Sequence, residues 1–174
     1  KIDFDDMLVF TYELLSERPD ILKLWQGKFR YILIDEFQDI NMIQYDIVKL
    51  LAGENQNVFA VGDDDQSVYG FRGAAPAIMK KFPEDFHGTV IEYLNVNYRC
   101  SYDIVECSKR IIQNNRDRYE KQLRSAFAAG QSDRVHIVKT DSMPDQNKKI
   151  IDRITELNRA GIPYCDMAVI YRTN

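Results

Sequence analysis

Two acidic clusters each close a short apolar run. Residues 31–34 end in Asp35 and Glu36, with Asp39 close behind, and residues 57–61 end in Gly62 followed by Asp63, Asp64, Asp65 and Gln66. If both runs are strands of an open α/β sheet, the acids sit at the carboxyl ends, where ligands gather, and the two clusters can converge on one site. The chemistry that uses such a site is phosphoryl transfer to water. One carboxylate holds Mg2+ and a neighbour orients and deprotonates the attacking water. Asp35 suits the first role and Glu36 the second. Taken alone, the pair is a weak signal and reads first as a solvated strand end.

The surrounding pattern supplies the elements that position these acids. Asp3 is placed to cap an amphipathic helix running through Leu15, and Pro19 opens a second short helix to Trp25. Residues 31–34 read as a strand and residues 41–51 as a helix with Ile43, Ile47, Val48 and Leu51 at helical spacing. Residues 57–61 and 89–94 are further expected strands, with turn-rich residues 66–73 between them. A helix over residues 102–114, a strand over 135–139, a loop at 141–146 containing Pro144, a helix over 146–160 and a strand over 167–171 complete the order. Strands alternating with helices predict an α/β fold with a mostly parallel sheet flanked by helices. The expected domain boundary lies near residues 95–97, dividing the chain into 1–95 and 96–174.

The bulk properties agree with a folded, non-membrane protein. The 174 residues are 45% hydrophobic and 29% charged, with 10 Tyr and 9 Phe, enough to build a core without a metal or disulfide staple. The net charge of −4 and pI near 5.2 exclude a globally basic nucleic-acid-binding surface, so any such contact must be local. Cys100, Cys107 and Cys165 lack CxxC spacing and read as ordinary thiols in or near the core, consistent with a reducing cytoplasm. His87 and His136 read as incidental. There is no apolar run near 18 residues and no signal-like segment. Six basic residues between Lys109 and Arg124 (with Arg110, Arg116, Arg118 and Lys121) face two acidic ones; a solvated helix face is the default reading.

Three ordered motifs then narrow the function: ILIDEFQD at residues 32–39, GDDDQSVYGFRGA at 62–74 and NYR at 97–99. With them the chain resembles the UvrD, PcrA and Rep group of superfamily one DNA helicases. The first motif resembles their Walker B segment, the second their third motif and NYR the start of their fourth. Residues 3–7 (DFDDM) and 168–174 (AVIYRTN) extend the likeness to almost the whole chain. The resemblance implies a RecA-like P-loop NTPase fold, with 1–95 the later half of the first motor domain and 96–174 the beginning of the second. It also implies ATP and Mg2+ as cofactors and single-stranded or partly duplex DNA as partner.

Carried over residue by residue, the resemblance implies Asp35 for Mg2+, Glu36 for water activation and Gln66 for sensing the γ-phosphate. Tyr98 would stack on adenine and Arg99 would act as an arginine finger. Tyr69, Phe71 and Arg72 would face DNA, the rings stacking on bases of a single strand. Phe71 stands where many relatives have Trp, and Cys100 where Ser is common. The expected function is an ATP-dependent 3′-to-5′ helicase or translocase.

The phosphate-cradling GxxxxGK[ST] loop is absent from the 174 residues, so this segment is expected to be an internal, inactive piece of a longer motor that needs the remainder of its chain. The start at Lys1 without Met points the same way. Alternatives are the motor subunit of a helicase-nuclease complex, a non-catalytic module descended from a motor, and a self-contained two-metal hydrolase. The last lacks a His or basic phosphate clamp near Asp35 or Asp63 in the sequence.

Overall fold

A computed structural model describes residues 1–68, 77–115, 118–130 and 135–171. The chain forms two compact units, residues 1–132 and 133–174.

The first unit begins with α1 (Phe4–Glu17) and α2 (Pro19–Lys28). Asp3 caps α1 reciprocally: its carboxylate accepts the Asp6 amide at 2.9 Å while its own amide donates to Asp6 at 3.1 Å. Both helices pack on α3 (Met42–Ala52), whose cap repeats the device, with Asn41 and Gln44 exchanging two bonds of 2.9 Å. β1 (Ile32–Ile34) and β2 (Val58–Ala60) flank α3 in sequence and pair in parallel, with Ile32 opposite Val58 and Ile34 opposite Ala60. The period of two sends Ile32, Ile34, Val58 and Ala60 toward the core and leaves Leu33 and Phe59 exposed on the other face.

That core is built on Phe37, Tyr45, Ala52, Ile78, Phe82 and Phe86. Phe37 meets Phe82 edge-on at 5.3 Å between ring centres and Tyr45 at 6.0 Å, so the residue after Glu36 is an aromatic anchor. Ile78 and Phe82 lie on α4 (Ala77–Asp85), an element not anticipated from the sequence. Their i, i+4 spacing, continued by Phe86, is the available signal, and Pro83 within the helix obscures it. Pro83 has no N–H to offer the Met79 carbonyl four residues back; the Tyr119 hydroxyl donates to that oxygen instead, at 3.0 Å.

Downstream, the strand expected at residues 89–94 does not form. Pairing occurs just beyond it, where β3 (Val96–Asn97) runs parallel to β4 (Arg124–Ser125), and α5 (Tyr102–Ile112) lies between them in sequence. The ladder is anchored by the Arg124 amide on the Asn95 carbonyl and the Ala126 amide on that of Asn97, each at 2.8 Å. An apolar run supplies propensity, but a strand exists only where a partner meets it.

In the second unit, α6 (Met143–Arg159) starts earlier than expected. Ser142 caps it, and Pro144 belongs to its first turn, where a missing N–H costs nothing. Residues 135–139 and 167–171, expected as strands, have no ladder partner among the described residues, and Ile137 and Ile170 are exposed. The mixed α/β class is thus present, with every strand pair parallel, as two two-stranded sheets among the described residues. No helix among the described residues is long and apolar enough to cross a membrane.

Candidate functional site

The chain leaves β1 at Ile34 and turns at once. Glu36 adopts the left-handed conformation, φ 49° and ψ 44°, which is rare outside glycine and is found where surrounding structure over-determines it. Four bonds hold the turn. The Glu36 amide donates to Asp35 Oδ1 at 2.9 Å and the Phe37 amide to the Val61 carbonyl at 2.9 Å. The Asp39 amide donates to the Glu36 carbonyl at 2.9 Å and the Val61 amide to that of Ile34 at 2.8 Å. The side chains of Phe37 and Gln38 are buried while Asp35 and Glu36 stay exposed. Strain and burial together present the two carboxylates to solvent from a fixed base.

Gln38 is the residue that sequence reasoning passed over. Its side chain is 1% exposed, and it joins the two acidic segments. Nε2 donates to Glu36 Oε2 at 2.8 Å, and Oε1 accepts the Asp63 amide at 2.9 Å. The Ser67 hydroxyl donates to the Gln38 carbonyl at 3.3 Å. Gly62 permits this approach, because a Cβ there would lie 2.8 Å from Gln38 Oε1. The exposed Gln66 enters the same network by donating from Nε2 to Asp63 Oδ2 at 2.7 Å. Glu36, Gln38, Asp63 and Gln66 therefore form one continuous chain of hydrogen bonds.

The second acidic cluster turns elsewhere. Arg118 grips Asp65 with both branches, Nε to Oδ1 at 2.8 Å and Nη2 to Oδ2 at 2.5 Å. Lys121 Nζ pairs with Asp63 and Asp64 and lies 3.0 Å from Asp65, and the Tyr119 amide donates to Asp64 Oδ2 at 2.6 Å. Arg118 and Lys121 are thus ion-paired to this acidic cluster rather than part of a solvated helix face, and the basic groups found wanting near Asp63 in the sequence come from 53 to 58 residues downstream. Burial pushes the Asp63 carboxyl up, yet its bonds from Lys121 and Gln66 hold it below the ordinary range. The Arg118 bond, against burial, does the same for Asp65. Burial lowers the Lys121 ammonium, and its three carboxylate partners outweigh that and raise it.

These arrangements decide which group suits a cation. Oxygens of Asp63, Asp64 and Asp65 lie within 4.8 Å of one another, the spacing of a metal site, but the Lys121 ammonium occupies the position a metal would take. Asp35 fits better: one oxygen accepts the Glu36 amide, and the other has no protein partner among the described residues, a hard donor of the kind Mg2+ takes.

Tyr98 and Arg99 lie just past β3, both exposed, with Tyr98 77% accessible. Asn97 Oδ1 accepts the amides of Arg99 at 2.9 Å and Cys100 at 2.7 Å, fixing the backbone there. Among the described residues their side chains make no hydrogen bond to the group around Glu36 and Gln66. Tyr69, Phe71 and Arg72 lie outside the described residues. Cys100 and Cys107 are half-buried, whereas Cys165 is exposed rather than near the core.

Residues 1–87 match the family model of the UvrD/REP helicase N-terminal domain, and residues 92–174 that of the UvrD-like helicase C-terminal domain. The protein YjcD of Bacillus subtilis is 41% identical over 177 residues, an alignment covering 100% of this chain and 23% of YjcD. The ATP-dependent DNA helicase PcrA of Staphylococcus aureus is 38% identical over 173 residues, covering 99% of this chain and 23% of PcrA. PcrA of Staphylococcus epidermidis is 37% identical, with 99% and 24% covered. The chain spans less than a quarter of the length of these relatives.

Proposed function

The chain belongs to the UvrD/REP helicase family, and from that premise we propose that it is the central segment of an ATP-dependent DNA helicase that translocates 3′ to 5′ on single-stranded DNA. The observation that supports this most is the bonded chain from Glu36 through Gln38 and Asp63 to Gln66. It links a solvent-facing carboxylate, suited to water activation, to an amide suited to reading a terminal phosphate. The segment joins the later half of one RecA-like motor domain to the start of the next. The proposed boundary near residues 95–97 lies a few residues beyond the point where one family match ends, at residue 87, and the other begins, at residue 92.

In this function Asp35 would hold Mg2+, which would polarise the terminal phosphate, and Glu36 would take the proton of the attacking water. Gln66 contacts the terminal phosphate, Tyr98 offers its ring face to adenine, and Arg99 contributes a guanidinium from the second domain. Bound Mg-ATP supplies the phosphoanhydride whose cleavage drives movement. Tyr69, Phe71 and Arg72 contact the single strand, an aromatic-stacking mode that tolerates any base sequence. The segment contains no phosphate-cradling lysine loop, so alone it hydrolyses no ATP. A cytoplasmic role in DNA repair fits this reading.

Glu36→Gln in the full-length motor tests it. DNA-stimulated ATP turnover is expected to disappear while nucleotide binding persists; near-normal phosphate release would reject the role of Glu36. The isolated 174-residue chain is expected to show no DNA-stimulated turnover above background.

A further inference from the structure

Gln38 has properties that packing alone does not require. A buried amide costs free energy unless both its ends are satisfied, and here both are, each by a different motif. Its orientation is fixed by chemistry: the Asp63 N–H can only donate, so Oε1 must face it, which turns Nε2 toward the acids. One Nε2 hydrogen goes to Glu36 Oε2 at 2.8 Å and the other points toward Asp39 Oδ2 at 3.5 Å. Only a side chain with a donor and an acceptor on one planar group, at this length, can span the two. Glu would set a second carboxylate against Glu36, and Asn would fall short by a methylene.

We propose that Gln38 is a positioning residue for ATP hydrolysis, holding the Glu36 carboxylate in register with the backbone of the Asp63–Gln66 segment. By occupying Oε2 it leaves Glu36 Oε1, which has no protein hydrogen bond among the described residues, as the oxygen that receives the water proton. Gly62 belongs to the same device, since any Cβ there would displace the Gln38 amide. The proposal rests on the reading of Glu36 as the water-activating base.

The test is steady-state DNA-stimulated ATPase of the full-length motor carrying Gln38→Glu or Gln38→Asn, with Glu36→Gln alongside and melting temperatures for all. The expected result for either folded variant is a kcat about 10–100-fold lower, the range for partners that orient a reacting group. KM for ATP should stay within about twofold, because the loss falls on the transition state and not on ground-state binding. An unchanged kcat in either folded variant overturns the assignment, and so does a kcat loss matched by an equal rise in KM. If neither variant folds, Gly62→Ala, which disturbs the amide without altering its chemistry, must show the same selective kcat loss or the assignment falls. Turnover that survives Glu36→Gln removes the underlying reading of the site. Turnover lost there but intact in Gln38→Asn removes only the positioning role.

Discussion

Lys121→Met removes one ammonium from among three carboxylates. Methionine keeps the apolar stem, so the change isolates the charge. About four-fifths of the Lys121 side chain is covered, and the side chains of Asp64 and Asp65 are 6% and 14% exposed, with Asp63 more open at 38%. An exposed ion pair contributes up to about 1 kcal/mol, whereas stripping one partner from a buried pair costs about 3–5 kcal/mol. The cluster lies between these limits. Arg118 still neutralises Asp65 after the substitution, which places the expected loss at about 2–3 kcal/mol. The Tyr119 amide reports it directly, because it donates to Asp64 Oδ2 at 2.6 Å and exchanges with solvent only when the cluster opens. At about 1.4 kcal/mol per decade, the peptide spanning residues 118–125 should exchange ~30–150-fold faster in the full-length motor. The Val61 amide, bonded to Ile34 across β1 and β2, should keep its protection. Exchange at Tyr119 unchanged by the substitution, or already unprotected without it, would show that the ion pairs do not hold this segment against Asp63–Asp65.

The same cluster sets a pH window. Asp63 and Asp65 are held below their ordinary value of 3.8, so their contribution is present above that value and is lost as pH falls through the folded carboxyl pKa values. Lys121 is raised above 10.5, so its contribution is complete below that value and is lost as pH climbs through the folded one. Protection of Tyr119, corrected for intrinsic exchange, should therefore be flat between about pH 5 and 9 and decline only toward the two extremes. Phe37→Ala should destabilise the first unit by about 3–5 kcal/mol, since it empties an aromatic site that is 3% exposed, and should impair turnover because the anchor of the Glu36 turn is lost. Thermal melting with ATPase assays checks both, and a stable variant with normal turnover would show that the turn does not depend on this ring. Phe71→Ala should weaken single-strand binding by about 1–3 kcal/mol if the ring stacks on a base, measured by fluorescence anisotropy; unchanged affinity would make it a packing residue.

Local features were legible from the residues alone. Asp3 marks a helix start because a cap needs only a side-chain acceptor and the amide three residues on; that cap forms, and Asn41, read only as the first residue of its helix, caps α3 in the same way. The runs ending in Asp35 and Gly62 become β1 and β2 because each is a short, strongly apolar stretch closed by acids or glycine, and the in/out alternation along them appears only once they pair. The motifs around Glu36, Gln66 and Arg99 identified the family because spacing is written directly in the chain. Tertiary structure decided every choice of partner. Residues 89–94, 135–139 and 167–171 have strand-like composition but form no ladder among the described residues, while pairing occurs at Val96–Asn97 with Arg124–Ser125. Arg118 and Lys121 looked like solvated charge until the fold carried them to acids more than 50 residues away. Gln38 drew no reading from the sequence beyond its place in the motif. Its role depends on a backbone amide 25 residues downstream, brought within 2.9 Å by parallel pairing of β1 and β2 and by a glycine small enough to admit it. Periodicity and capping act over one turn of chain; hydrogen bonds and ion pairs between distant segments exist only after the core has brought those segments together.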